Sequence, residues 1–138
     1  WGGDELIYPA SVVKFVYLMA AYSWQEQGKL LIDKDLDRQL TAMIYNSSNT
    51  ATQKVFRRVT GTTTGEKLSP EAYAAFKKRR LAIADWLLDM GIIGVHSAHP
   101  TYNGGDIHGR DRQFLNDDSV VGGIANKEFA NRQAMSAT

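Results

Sequence analysis

Between Ser11 and about Gln27 the chain carries Val12, Val13, Phe15, Val16, Leu18, Met19, Ala20 and Ala21, apolar nearly all round a helix. A helix on a protein surface shows one apolar stripe. This helix is therefore expected to be central and buried. Pro9 suits the extended approach or the first turn, and Gly28 suits the stop. One cation, Lys14, interrupts the apolar run. Ser11-Val12-Val13-Lys14 sets a hydroxyl and an amine three residues apart, on one helical face. A serine hydroxyl is a poor nucleophile until a base takes its proton. A lysine is that base only when burial or another cation lowers its pKa. The helix start adds backbone N–H groups and a dipole that favour developing negative charge. By itself the pattern is weak, because a capping serine followed by a snorkelling lysine produces it too.

Three more helices are expected. Leu36, Leu40, Met43 and Ile44 fit a helix from about Asp35 to Tyr45. Asn46-Ser47-Ser48-Asn49 breaks it. A third helix turns Ala51, Val55, Phe56 and Val59 inward and ends at Gly61. Ser69-Pro70-Glu71 opens a fourth with a capping hydroxyl, proline at the first helical position and an acid in the first turn. That helix is expected to reach about Met90, with Tyr73, Phe76, Ile83 and Leu87 on one face. From Gly94 to about Gly123 the chain is rich in Gly, Asp, Asn and His. That length exceeds an ordinary connection and points to a functional loop. A short helix is expected after Asn126. There is no internal repeat or low-complexity tract.

The 138 residues suit one domain with a core, and a net charge of +1 argues against a nucleic-acid surface. Arg57-Arg58 and Lys77-Lys78-Arg79-Arg80 read as solvated faces. The absence of cysteine removes disulfides, thiolate metal sites and a cysteine nucleophile, and leaves the compartment open. Trp1-Gly2-Gly3-Asp4 shows no export signal, so the chain reads as mature or excised. No uncharged apolar run approaches the length of a membrane span.

A second motif joins the first. Met43-Ile44-Tyr45-Asn46-Ser47-Ser48-Asn49-Thr50-Ala51 closes one helix and opens another. Its flanks, with those of Tyr8-Pro9-Ala10-Ser11-Val12-Val13-Lys14, resemble the serine β-lactamases and penicillin-binding proteins. There a Ser-x-Asn triplet in an interhelical loop faces the nucleophile. Ala84-Asp85-Trp86-Leu87-Leu88-Asp89-Met90-Gly91 resembles a helix end further along, and the motifs keep the family's order. The likeness covers most of the chain, loosely between Thr62 and Arg80. It implies Ser11 as nucleophile, Lys14 as base, Ser47 as proton relay and Asn49 as holder of the substrate's side-chain carbonyl. A turn that caps a helix, with Ser48 as the cap, is the plainer reading of the second motif.

The departures are specific. Ser48 stands where the commonest triplet has Asp, and the segment between the motifs is shorter than in typical class A enzymes. Arg110-Asp111-Arg112-Gln113-Phe114-Leu115-Asn116 resembles the family's omega-type loop, often Arg-x-Glu-x-x-Leu-Asn. Arg110, Leu115 and Asn116 match, with Asn116 a candidate substrate- and water-positioning residue. Arg112 replaces the Glu that activates the deacylating water, and arginine is no base at neutral pH. Asp111 lies one residue away. The third motif, a Lys-Thr/Ser-Gly strand with its second oxyanion donor and a cation for the substrate carboxylate, is missing.

The resemblance thus implies a mainly α chain: the helical subdomain of the serine β-lactamase/penicillin-binding-protein (DD-peptidase-like) fold, with the main antiparallel sheet largely missing. Residues 1–138 then form a single domain, a fragment of a catalytic domain. The expected activity is acyl transfer on a β-lactam or peptidoglycan-like peptide, in a periplasmic, extracellular or cell-envelope setting, with no cofactor. The rest of the catalytic domain is the expected partner. A catalytically silent binding or scaffold domain is the alternative. His96, His99 and His108 with Asp106 and Asp111 have zinc-ligand chemistry. No H-x-x-x-H or H-E-x-x-H spacing groups them, so solvated loop histidines and no metal are expected.

Overall fold

The computed structural model describes residues 7–101 and 107–120, with the backbone of 133–135. Among them the chain is mainly helical. A 3-10 turn at Ala10–Val12 leads into α1 (Val13–Glu26). Then come α2 (Lys34–Tyr45), α3 (Asn49–Thr60), α4 (Pro70–Arg80) and α5 (Ala82–Asp89). Strand β1 (Val95–Ser97), α6 (Gly109–Leu115), a 3-10 turn at Asp118–Val120 and strand β2 (Gln133–Met135) follow. The strands pair antiparallel, His96 opposite Ala134. The short helix expected after Asn126 falls mostly outside the described residues, and 133–135 are strand. No described helix is long and apolar enough to cross a membrane.

Local chemistry explains the helix ends. The Asp33 carboxylate accepts from the Leu36 N–H at 2.8 Å, Ser48 Oγ from the Ala51 N–H at 3.2 Å, and Ser69 Oγ from the Ala72 N–H at 3.4 Å. Each satisfies a donor left open in a first helical turn. Gly61 closes α3 in the left-handed region at φ 63°, where a side chain would be strained.

Helix α1 is central on one side only. Val13, Val16, Tyr17, Ala20 and Ala21 pack into a first core with Leu36, Leu40 and Met43 of α2, Val55 and Phe56 of α3, and Ile83 and Leu87 of α5. On its other side Val12 and Phe15 are 64% and 61% exposed, and Met19 and Tyr22 are exposed as well. Complete burial, expected from composition, is therefore corrected. Positions 12, 15, 19 and 22 form a second apolar stripe that the described residues leave uncovered.

The single helix expected from Ser69 to Met90 is also corrected. Leu81 (φ −85°, ψ −5°) ends α4 and begins α5. The break lets the two halves serve two cores. Ile83 and Leu87 join the first, while Phe76 joins a second with Ala98, Phe114 and Val120.

That second core encloses a charge. Arg80, expected on a solvated basic face, is 0% exposed. Its guanidinium carbon lies 5.1, 5.6 and 5.3 Å from the ring centroids of Phe56, Phe76 and Phe114. Arg80 Nη1 donates to Asp111 Oδ1 at 2.7 Å and Nε to the Ala98 carbonyl at 3.0 Å. Aromatic faces attract a cation and the carboxylate balances it, so the arginine remains charged. Lys77 also leaves the solvated set, 3.0 Å from Asp117 Oδ2.

The start of α6 is pinned to the loop after α3. Arg110 donates from its backbone N–H to the Gly65 carbonyl at 3.0 Å and from Nη1 to Thr63 Oγ1 at 2.9 Å. Gly109, at φ 53°, lets the chains meet: a Cβ there would lie 1.8 Å from the Gly65 oxygen.

Removing one partner of a buried ion pair costs about 3–5 kcal/mol, because the other charge is left unpaired. Asp111→Ala should lose about that much in urea unfolding. Arg80→Met with Asp111→Leu should lose less than the single change, and a larger loss would contradict the pairing. Burial pushes the Asp111 carboxyl up, but Arg80 and the Thr64 hydroxyl outweigh it and hold its pKa below 3.8. Its contribution is complete above that value and fades as pH falls through the folded pKa. The acid limb of wild-type stability should therefore flatten in Asp111→Ala.

Candidate active site

Ser11 sits in the 3-10 turn before α1, and Lys14 one turn on, inside the helix. Ser47 lies in the loop that joins α2 to α3. These two stretches, far apart in sequence, meet. Lys14 Nζ donates to Ser11 Oγ at 3.2 Å, to Ser47 Oγ at 2.8 Å and to the Ser47 carbonyl at 2.5 Å. Ser47 Oγ donates to Ser11 Oγ at 3.0 Å. The three functional atoms thus form a closed triangle.

Burial divides the roles. Lys14 is 2% exposed, whereas Ser11 and Ser47 face solvent. No carboxylate among the described residues lies within ion-pair distance of Lys14. Burial pushes its ammonium pKa down from 10.5. A neutral Nζ accepts, so the contact can reverse and Ser11 Oγ can donate to it.

Backbone strain gathers at the same place. Among the described residues the non-glycine residues with positive φ are Ala10 (49°) and Ser47 (50°). One immediately precedes Ser11 and the other is in the triangle. Such conformations cost about 1–3 kcal/mol each and persist where the surroundings enforce them.

Asn49 is the first residue of α3, with Ser48 as the cap between it and Ser47. Its Oδ1 accepts from Thr101 Oγ1 at 3.0 Å, and Gln53 Nε2 donates to the Thr101 carbonyl at 3.4 Å. Tyr17 OH of α1 donates to the His99 carbonyl at 2.6 Å, and burial raises that phenol's pKa. Residues 99–101 thereby tie α1 to the start of α3 and hold the Ser47 loop against Lys14. The sequence reading missed this tie. The apolar context of Tyr17 was visible, but its partner is a backbone carbonyl with no side-chain signature.

The omega-like segment is arranged otherwise. Asn116 is the exposed C-cap of α6, with its N–H bonded to the Arg112 carbonyl. No described contact joins it to the triangle. Arg112 is exposed and donates from Nε to the Ile107 carbonyl at 2.9 Å. Asp111 belongs to Arg80. His99 is buried, with Nδ1 2.7 Å from the Pro100 carbonyl, which corrects the expectation of a solvated ring. The described residues contain no cluster of three or more potential metal ligands.

No protein-family model, curated protein or solved structure matches the chain.

The Lys14 side chain should titrate below 10.5 when followed by NMR. Its folded form binds a proton less readily than its unfolded form. Stability should therefore rise as pH increases from the folded pKa toward 10.5. A Lys14 resonance that titrates at or above 10.5 would contradict the burial argument.

Proposed function

We propose that this chain carries the nucleophile half of a serine acyl-transfer site of the β-lactamase/penicillin-binding type, in the helical subdomain of that fold. The observation that carries the proposal is the Ser11–Lys14–Ser47 triangle, with its base buried and its hydroxyls accessible. The positive φ of Ala10 and Ser47 supports it, since strain at both corners is not needed for a plain helix cap.

In this reading Ser11 Oγ attacks the carbonyl carbon of a β-lactam or a peptidoglycan-like peptide. The new C–O bond forms as the Ser11 proton passes to Lys14 Nζ. The C–N bond then breaks, and the proton reaches the departing nitrogen through Ser47 Oγ. Asn49 holds the substrate's side-chain carbonyl. Asn116 positions water only if α6 approaches the ester in the complex.

Deacylation is the weaker step. Arg112 occupies the position of the expected carboxylate and cannot deprotonate water. Asp111 is occupied by Arg80. The acyl-enzyme should accumulate. The Val12, Phe15, Met19 and Tyr22 stripe, which the described residues leave uncovered, supports a packed partner layer. The implied setting is the cell envelope.

Incubation with a penicillin, followed by intact mass, should give slow addition of one equivalent on Ser11. The adduct should be absent in Ser11→Ala and form at least about 10²-fold more slowly in Lys14→Ala. An unmodified wild-type chain, or an adduct on another residue, would overturn the proposal and leave a silent scaffold.

A further inference from the structure

A second concavity lies outside this site. A cavity of about 680 Å³ opens between the start of α2 and the end of α3, walled by the Thr62–Thr64 loop. Neither Ser11, Lys14 nor Ser47 lines it. We propose that this groove binds a small hydroxylated organic anion, of the sugar-phosphate class.

Its size falls in the range of small-molecule sites, roughly 300–1,000 Å³. Its charge selects the sign of the ligand. Lys54, Arg57 and Arg58 line it, against one acid, Asp35. Arg58 is held by Asp33 at 2.9 Å, and Asp35 has Arg38 at 3.7 Å. Among the described residues, no carboxylate lies within ion-pair distance of Lys54 or Arg57. Arg57 Nη2 donates instead to the neutral Gln53 Oε1 at 3.2 Å. A further cation, Arg79, approaches the rim at Gly61.

Complementing the helix dipole does not use up these charges. The C-terminus of α3 presents only about half a negative charge, and Arg57 and Arg58 both sit in its last turn. Lys54 lies upstream of that turn. Asp35 and Gln39 offer polar atoms to hydroxyls, and Leu36 offers an apolar surface to the C–H face of a sugar ring.

The wall is pre-formed, which limits the ordering cost of binding. Thr60 and Thr62 share a hydroxyl–hydroxyl bond of 2.8 Å. Thr63 Oγ1 is fixed from behind by Arg110 at 2.9 Å.

The test is a titration of the whole chain with glucose 6-phosphate, with inorganic phosphate and glucose as separate arms, read by backbone amide NMR. Saturable shifts are expected at Thr62–Thr64 and the last turn of α3 with glucose 6-phosphate. Phosphate should bind more weakly, and glucose should not bind. Lys54→Ala with Arg57→Ala should weaken binding at least about tenfold. The exposed charge reversal Lys54→Glu should do the same without touching the core. Lys67→Ala with Lys78→Ala, which removes two exposed cations elsewhere, should leave affinity unchanged. Ser11→Ala should too, so the result is independent of the acyl-transfer reading. Non-saturable shifts, or equal weakening in the Lys67/Lys78 control, would overturn the proposal. Equal affinity for phosphate alone would overturn its sugar-binding half.

Discussion

A buried ammonium group with no carboxylate beside it among the described residues is the constraint on which this structure turns. An unpaired charge of that kind costs several kcal/mol to desolvate, and the group either finds enough acceptors or gives up its proton. Lys14 finds three acceptors, two on Ser47 and one on Ser11. Satisfying it requires that the α2–α3 loop reach the first turn of α1. The Ser48 cap, the strained backbone at Ser47 and the Thr101–Asn49 contact hold that loop in reach. The burial that makes the amine costly to charge is what suits it to the proposed role of base.

Arg80 shows the other solution to the same problem. It is as buried as Lys14, but it has a carboxylate at 2.7 Å, a carbonyl and three aromatic faces. A guanidinium so placed stays protonated and is suited to holding elements together. It ties Phe56 of α3, in the first core, to α4, the stretch after β1 and α6 of the second, and it occupies the Asp111 carboxylate. The chain thus contains two buried cations with separate uses. Burial lowers the pKa of both, and among the described residues only Arg80 has a carboxylate at ion-pair distance to offset it.

Much of the local structure was legible in the sequence because its signals are local. The α2 and α3 spacings, Ser69-Pro70, Gly61 and the Ser-x-x-Lys pair depend on residues within a turn or two. The meeting of Ser11 with Ser47 was legible only through a family likeness, since no spacing rule links positions 36 residues apart. The misses are tertiary. Arg80 was read with its charged neighbours as solvated, although Tyr73, Phe76, Arg80 and Ile83 fall at helical spacings of three, four and three. That periodicity was the available signal, and charge masked it. The break at Leu81 carries no proline or glycine. It arises because two cores pull on one helical stretch. The exposed stripe of α1 was hidden because composition counts apolar residues without saying which of them find a neighbour.

In the proposed site Lys14, tuned by burial, takes the proton from Ser11. That transfer is tested most directly by the pH dependence of the Ser11 acylation rate. The account predicts a rate that rises with pH through one inflection, coincident with the NMR titration of Lys14. That inflection should disappear in Lys14→Ala, while Ser47→Ala should lower the rate and keep the inflection. A pH profile for the wild-type chain that matches the Lys14→Ala profile would contradict it.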